Sequence, residues 1–94
     1  MAGFTVDIYS DSPKVENILK EVTSHNDKEF AKAGFRVEYF KEKFGFSVIV
    51  MPLSMTAVVG FKIGKPIILK GLKSEIHKIE PDVKVEERKK AEGK

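Results

Sequence analysis

The side chains able to do chemistry are few and scattered. His25 and His77 are the only histidines. Neither falls in an HxH, HExxH or HxxE pattern, so a metal site would have to recruit carboxylates from distant parts of the chain. Two partly exposed surface histidines are expected instead. Ser10, Ser12, Ser47, Ser54 and Ser74 sit in no strained nucleophile-elbow pattern. Asp11 follows the first strand, where a base or a Mg²⁺ ligand can sit, but turn and helix-capping propensity already account for it together with Ser10 and Ser12. "GFKIGKP" (60–66) spaces its glycines four apart instead of five and carries proline where a phosphate loop needs Ser or Thr. The absence of cysteine removes disulfides, thiolate nucleophiles and thiolate metal sites together. No set of residues offers a nucleophile with its base, a paired acid and base, or a ligand cluster, so the sequence predicts no catalysis, no metal and no cofactor.

The elements that would position these groups follow from periodicity. Phe4, Val6 and Ile8 alternate with Thr5, Asp7 and Tyr9, the pattern of a half-buried strand. Ser12 followed by Pro13 reads as an N-cap with proline at the first helical position, where its missing N–H is harmless. Val15, Ile18, Leu19 and Val22 then give one apolar stripe for the sheet. Asn26 and Glu29 predict a capping box that restarts a short helix carrying Phe30 and Ala33 to a stop at Gly34. "GFRVEYFKEKFGFSVIV" (34–50) predicts a hairpin turning near Gly45. "MTAVVGFKIGKPIILKG" (55–71) predicts a second hairpin turning at Gly64-Lys65, with Pro66 at a strand start. "LKSEIHKIE" predicts a short helix before Pro81.

The order β-α-β-β-(β-β)-α implies an α+β two-layer sandwich with a mixed sheet of four or five strands. Residues 1–80 form the single domain and 81–94 a polar, charged C-terminal tail. The expected core is Phe4, Val6, Ile8, Val15, Ile18, Leu19, Val22, Val37, Val48, Val58, Ile67 and Leu69.

Charge is distributed unevenly along 94 residues with a net charge of +3. Residues 1–40 hold five Lys/Arg against seven Asp/Glu, residues 41–79 seven against two, and residues 80–94 five against five. The basic excess therefore lies inside the fold and not in a tail. Lysine outnumbers arginine fifteen to two, a balance compatible with a thermophile. "MAGFTVDIYS" has no charged n-region or apolar h-region, so a cytoplasmic location is expected. "FGFSVIVMPLSMTAVVGF" (44–61) runs eighteen residues without charge, at the lower limit of the ~17–25 residues a membrane-spanning helix needs. With Pro52 at its middle it reads better as two buried strands, and no membrane partner is expected.

Two partial resemblances overlay this reading. "VDIYSDSPKVENILKEV" resembles the start of the thioredoxin/glutaredoxin family, with Ser12, Pro13, Lys14 and Val15 in place of Cys-Pro-x-Cys. "TAVVGFKIGKPIILKGLKSEI" (56–76) is similar to that family's closing hairpin and final helix. Both redox cysteines are missing, and Thr56 stands at the position of the family's cis-proline, so this likeness implies a thioredoxin-like fold that is redox-dead and able only to bind. "EKFGFSVI" (42–49) resembles the aromatic octapeptide of the RNA-recognition motif. There, two aromatics of the third strand and one of the first stack on bases. The matching positions are Phe44, Phe46 and Tyr9, and the likeness adds Arg36, Lys43, Lys62 and Lys65 as phosphate contacts. Glu42, Lys43, Ser47 and Ile49 depart from the family's pattern.

Two binding functions follow. One is a protein-interaction or self-association module in which the apolar strand 46–50 or the hairpin 55–70 supplies an edge or face to a partner. The alternative is a basic domain for single-stranded nucleic acid, and a more remote one is a subunit of an enzyme whose site is shared with another chain.

Overall fold

The structure is a computed structural model and describes residues 3–88. Strand β1 (Phe4–Ile8) leads through Ser12 into helix α1 (Pro13–Thr23). The Ser12 hydroxyl accepts the Lys14 N–H at 3.2 Å with Pro13 in the first turn, as its residue types predict. Val15 and Leu19 are fully buried against the sheet, each contributing roughly 1.5–3 kcal/mol of burial. A π-helical turn (Asn26–Phe30) runs into the short α2 (Ala31–Ala33), which Gly34 ends with φ +91°. The helical restart is present, but Asn26 does not cap it; its side chain serves the sheet instead.

Strands β2 (Phe35–Glu42) and β3 (Gly45–Pro52) form the expected hairpin. The next 25 residues depart from expectation. They form one helix, α3 (Met55–Ile79), where a second hairpin over 55–70 and a short helix were predicted. The Ser54 hydroxyl caps it by accepting the Ala57 N–H at 3.1 Å. Its inward residues Ala57, Phe61, Leu72 and Ile76 recur at helical spacing.

A three-residue strand β4 (Val85–Glu87) completes the sheet, so residues 85–87 of the predicted tail belong to the domain; residues 89–94 lie outside the described residues. The sheet has the order β2-β3-β1-β4 with every pairing antiparallel, which corrects the expectation of a mixed sheet. In that order β3 and β4 run the same way with β1 between them. Such a connection is a crossover, which a tight hairpin cannot make but a helix can. The two β-α-β units interleave as in the split β-α-β arrangement.

Both crossovers pack on one sheet face. The core holds Phe4, Val6, Ile8, Val37, Phe46, Val48, Val50 and Val85 from the strands, with Val15, Leu19, Phe61, Leu72 and Ile76 from the helices. Phe61 docks α3 by meeting Phe4 edge-on at 5.7 Å and Phe35 at 6.2 Å. Ile67, expected in the core, is 68% exposed because in a helix it points away from Phe61 and Leu72.

At the rim, the Tyr39 hydroxyl donates to the Glu16 carboxylate at 3.2 Å. Desolvation first, then that hydrogen bond and the nearby negative charge, raise the Tyr39 pKa above 10.0. The unfolded phenol therefore ionises before the folded one. What Tyr39 contributes is complete below pH 10 and lost as pH rises through the raised folded value. Thermal melting should be level up to about pH 10 and decline above it, more steeply in the wild type than in Tyr39→Phe.

Candidate interaction surfaces

The uncovered face of the sheet carries Thr5 and Asp7 of β1, Ser47, Ile49 and Met51 of β3, and the even-numbered residues of β2, as the register dictates, with Tyr9 immediately after β1. Its centre is closed by an ionic knot. Arg88 donates to both oxygens of the buried Asp7 carboxylate at 2.6 and 3.0 Å, and to the Ser47 hydroxyl at 2.8 Å. The hydrogen bonds that Arg88 donates to Asp7 push its guanidinium pKa further above its ordinary value. The knot also ties β4 to the sheet, where the Arg88 N–H donates to the Thr5 carbonyl at 2.8 Å. Arg88→Ala should strip the charged partner from an acid that is 6% exposed and cost about 1–3 kcal/mol in chemical denaturation.

Three of the nucleic-acid positions expected from the sequence come together at one end of this face. The Tyr9 and Phe44 rings lie with centroids 4.8 Å apart and planes tilted by 33°, and Lys43 precedes Phe44 in the turn. Sequence reasoning missed Lys84, whose ammonium lies 5.3 Å from the Tyr9 ring centroid. Only the pairing of β4 with β1, which joins Ile8 to Val85, brings it there.

The other four lie elsewhere. Phe46 is 1% exposed in the core, meeting Tyr39 at 6.0 Å on the side facing the helices, so it cannot stack on a base. Residues two apart share a face only within a strand. Phe44 is in the turn and Gly45, with φ +145°, breaks the alternation between them. Arg36 sits near the opposite end of β2, paired with Glu38 at 2.6 Å and near Asp27 at 3.8 Å. Lys62 and Lys65 belong to α3, across the sheet from Tyr9, and Lys65 is paired with Glu87.

The histidines are engaged locally. The His77 ring meets the Val83 carbonyl at 2.7 Å and ties α3 to the approach of β4. His25 lies 3.2 Å from Glu29 and 3.9 Å from Glu21 on the rim of a cleft of about 470 Å³ between α1 and α3. Among the described residues, no group of three or more His, Asp or Glu is placed to hold a metal ion.

The largest apolar exposure is on α3. Met55, Val59, Ile63 and Ile67 are 66–77% exposed and form a single ridge at every fourth residue, extended by Leu53 at 57%. Of the two segments the sequence singled out for contact, strand 46–50 turns Phe46, Val48 and Val50 into the core, while 55–70 presents this ridge. Among the described residues no helix is long and apolar enough to cross a membrane. No protein family, curated protein or solved structure matches the chain.

Proposed function

We propose that the domain is a non-catalytic binding module that engages a protein surface through the outward ridge of α3. The observation that carries this reading is the row of four large apolar side chains, Met55, Val59, Ile63 and Ile67, held in water by one helix. Exposed single hydrophobes are ordinary, but four large apolar residues 66–77% exposed along one helix row form the kind of patch that marks an interaction surface. The engagement of Asp7 by Arg88 and of His77 by a backbone carbonyl supports a role in binding over one in chemistry. Immobilised wild-type chain should retain a protein partner, itself included, that Ile63→Lys does not retain. Equal retention by both would end the proposal.

A second reading rests on the Tyr9–Phe44 pair with Lys43 and Lys84: a small stacking site for single-stranded nucleic acid. Each stacked base is worth roughly 1–3 kcal/mol. A short oligouridine titrated at low salt should quench tyrosine fluorescence, bind more weakly as salt rises, and lose about tenfold or more in affinity in Phe44→Ala. Absence of binding at low salt removes this reading.

A further inference from the structure

We infer that the occupant of the α3 ridge is α3 of a second copy, packed about a two-fold axis near Gly60 and Ile63. This rests on the reading of α3 as the contact surface and names its partner. Met55, Val59, Ile63 and Ile67 form a ridge along the i+4 direction of the helix. The parallel row beside it is Thr56, Gly60 and Gly64, which forms one wall of a cleft whose other wall is Lys32, Ala33, Gly34 and Phe35. A Cβ placed on Gly60 or Gly64 would meet nothing within 4 Å, so the chain's own packing gives no reason for glycine at either position. A close neighbour from outside does. One copy's ridge fits the other's cleft, and a two-fold axis repeats the fit, as an isologous interface requires. Packing of this kind crosses helices at about −50°.

Size and charge agree with that arrangement. The ridge Met55–Ile67 exposes on the order of 500 Å² in each copy, so the pair buries at most about 1,000 Å², the threshold of a specific interface and the range of weak, reversible ones. No ionisable residue occurs from Leu53 to Phe61. Lys62 falls on the flank of the ridge away from the glycine row. Lys70 and Lys73 follow Ile67, where helices crossing at that angle have diverged. Like charges on α3 therefore stay in water, and Lys32, on the opposite wall of the glycine cleft, is itself exposed.

Sedimentation of the full chain from about 1 to 500 µM should show a reversible dimer, a span that brackets the micromolar affinity such an area supports. Ile63→Lys should remain monomeric and folded throughout. Gly60→Leu separates this geometry from generic stickiness. Its Cβ has room within the monomer and leucine improves helix propensity, so the dilute protein should melt higher while dimerisation weakens tenfold or more; stronger association would overturn the inference. Because the chain has no cysteine, Ile63→Cys should give a disulfide-linked pair on mild oxidation, and Phe40→Cys, on the uncovered sheet face, should not.

A wild-type monomer at every concentration overturns the inference, as does a dimer indifferent to Ile63→Lys. The same holds for a monomer that instead binds phosphatidylcholine/phosphatidylserine vesicles through Ile63. A monomeric wild type that still retains a foreign protein lost in Ile63→Lys overturns the self-pairing and leaves the contact-surface reading intact. No retention of any kind removes both.

Discussion

Replacing Gly45 with alanine is expected to lower the melting temperature by about 20 °C or to prevent folding. Gly45 opens β3 immediately after the turn and adopts φ +145°, where a side chain is strained. Space is also lacking, because an added Cβ would collide with the Ile8 carbonyl and with the Ser10 backbone at 2.7 Å. Those atoms end β1, which pairs with β3 on one side and β4 on the other and cannot recede without parting from both. Backbone strain of roughly 1–3 kcal/mol and forced displacement of a further ~1–3 kcal/mol make about 4 kcal/mol. Domains of this kind have about 5–15 kcal/mol in total. At ~4–8 °C per kcal/mol for a chain of this length, the predicted loss follows. Gly71→Ala is the matched control, since it lies inside α3 with open space around it and should raise stability by about 0.5–1 kcal/mol. Calorimetry of the two variants checks both signs. An alanine at 45 that melts within a few degrees of the wild type would show that β1 yields more easily than this packing allows.

Asn26→Ala carries the other large expected loss. Asn26 is 7% exposed, and its amide works as one more rung of the sheet. Oδ1 accepts the Val37 N–H at 2.9 Å, and Nδ2 donates to the Val37 carbonyl at 2.7 Å. β2 is an edge strand, so these two backbone groups have no neighbouring strand to take them. Each buried group left unpaired costs about 1–3 kcal/mol, giving roughly 3 kcal/mol for the pair in urea denaturation. Asn26→Asp tests the mechanism. A carboxylate accepts from Val37 but cannot donate to it, whereas the protonated acid does both. The defect of that variant should shrink as pH is lowered through the carboxyl range, while that of Asn26→Ala should not. A parallel pH response in the two would assign the loss to packing alone.

The candidate contact site was legible only in part, and the reasons are local. Segment 55–70 was visible as an apolar stretch interrupted only by Lys62, Lys65 and Lys70, and that composition could be read directly. Which side of it meets water could not. Alternation assigns Ile67 inward, and helical spacing assigns it outward; the chain between Met55 and Gly71 holds enough β-branched residues and glycines to satisfy either period. The phenylalanines two apart at 44 and 46 read as neighbours on one strand face. Gly45 divides them between a turn and the core, a backbone event that spacing does not encode. Lys84 reaches Tyr9 only through a strand of three residues in a stretch of balanced charge.

Sequence alone determined the local structures whose stabilising partners lie within a few residues. The strand alternation of Phe4 to Ile8, the Ser12-Pro13 start of α1, the left-handed stop at Gly34 and the β2–β3 hairpin are of that kind. Tertiary structure alone decided what depends on contacts far along the chain. α3 is a helix because β3 must cross over β1 to reach β4, and because Phe61, Leu72 and Ile76 gain a core only in that form. Propensity differences of a few tenths of a kcal/mol per residue are outweighed by burial worth several times as much, so the same residues that read as a hairpin in isolation close the domain as its longest helix.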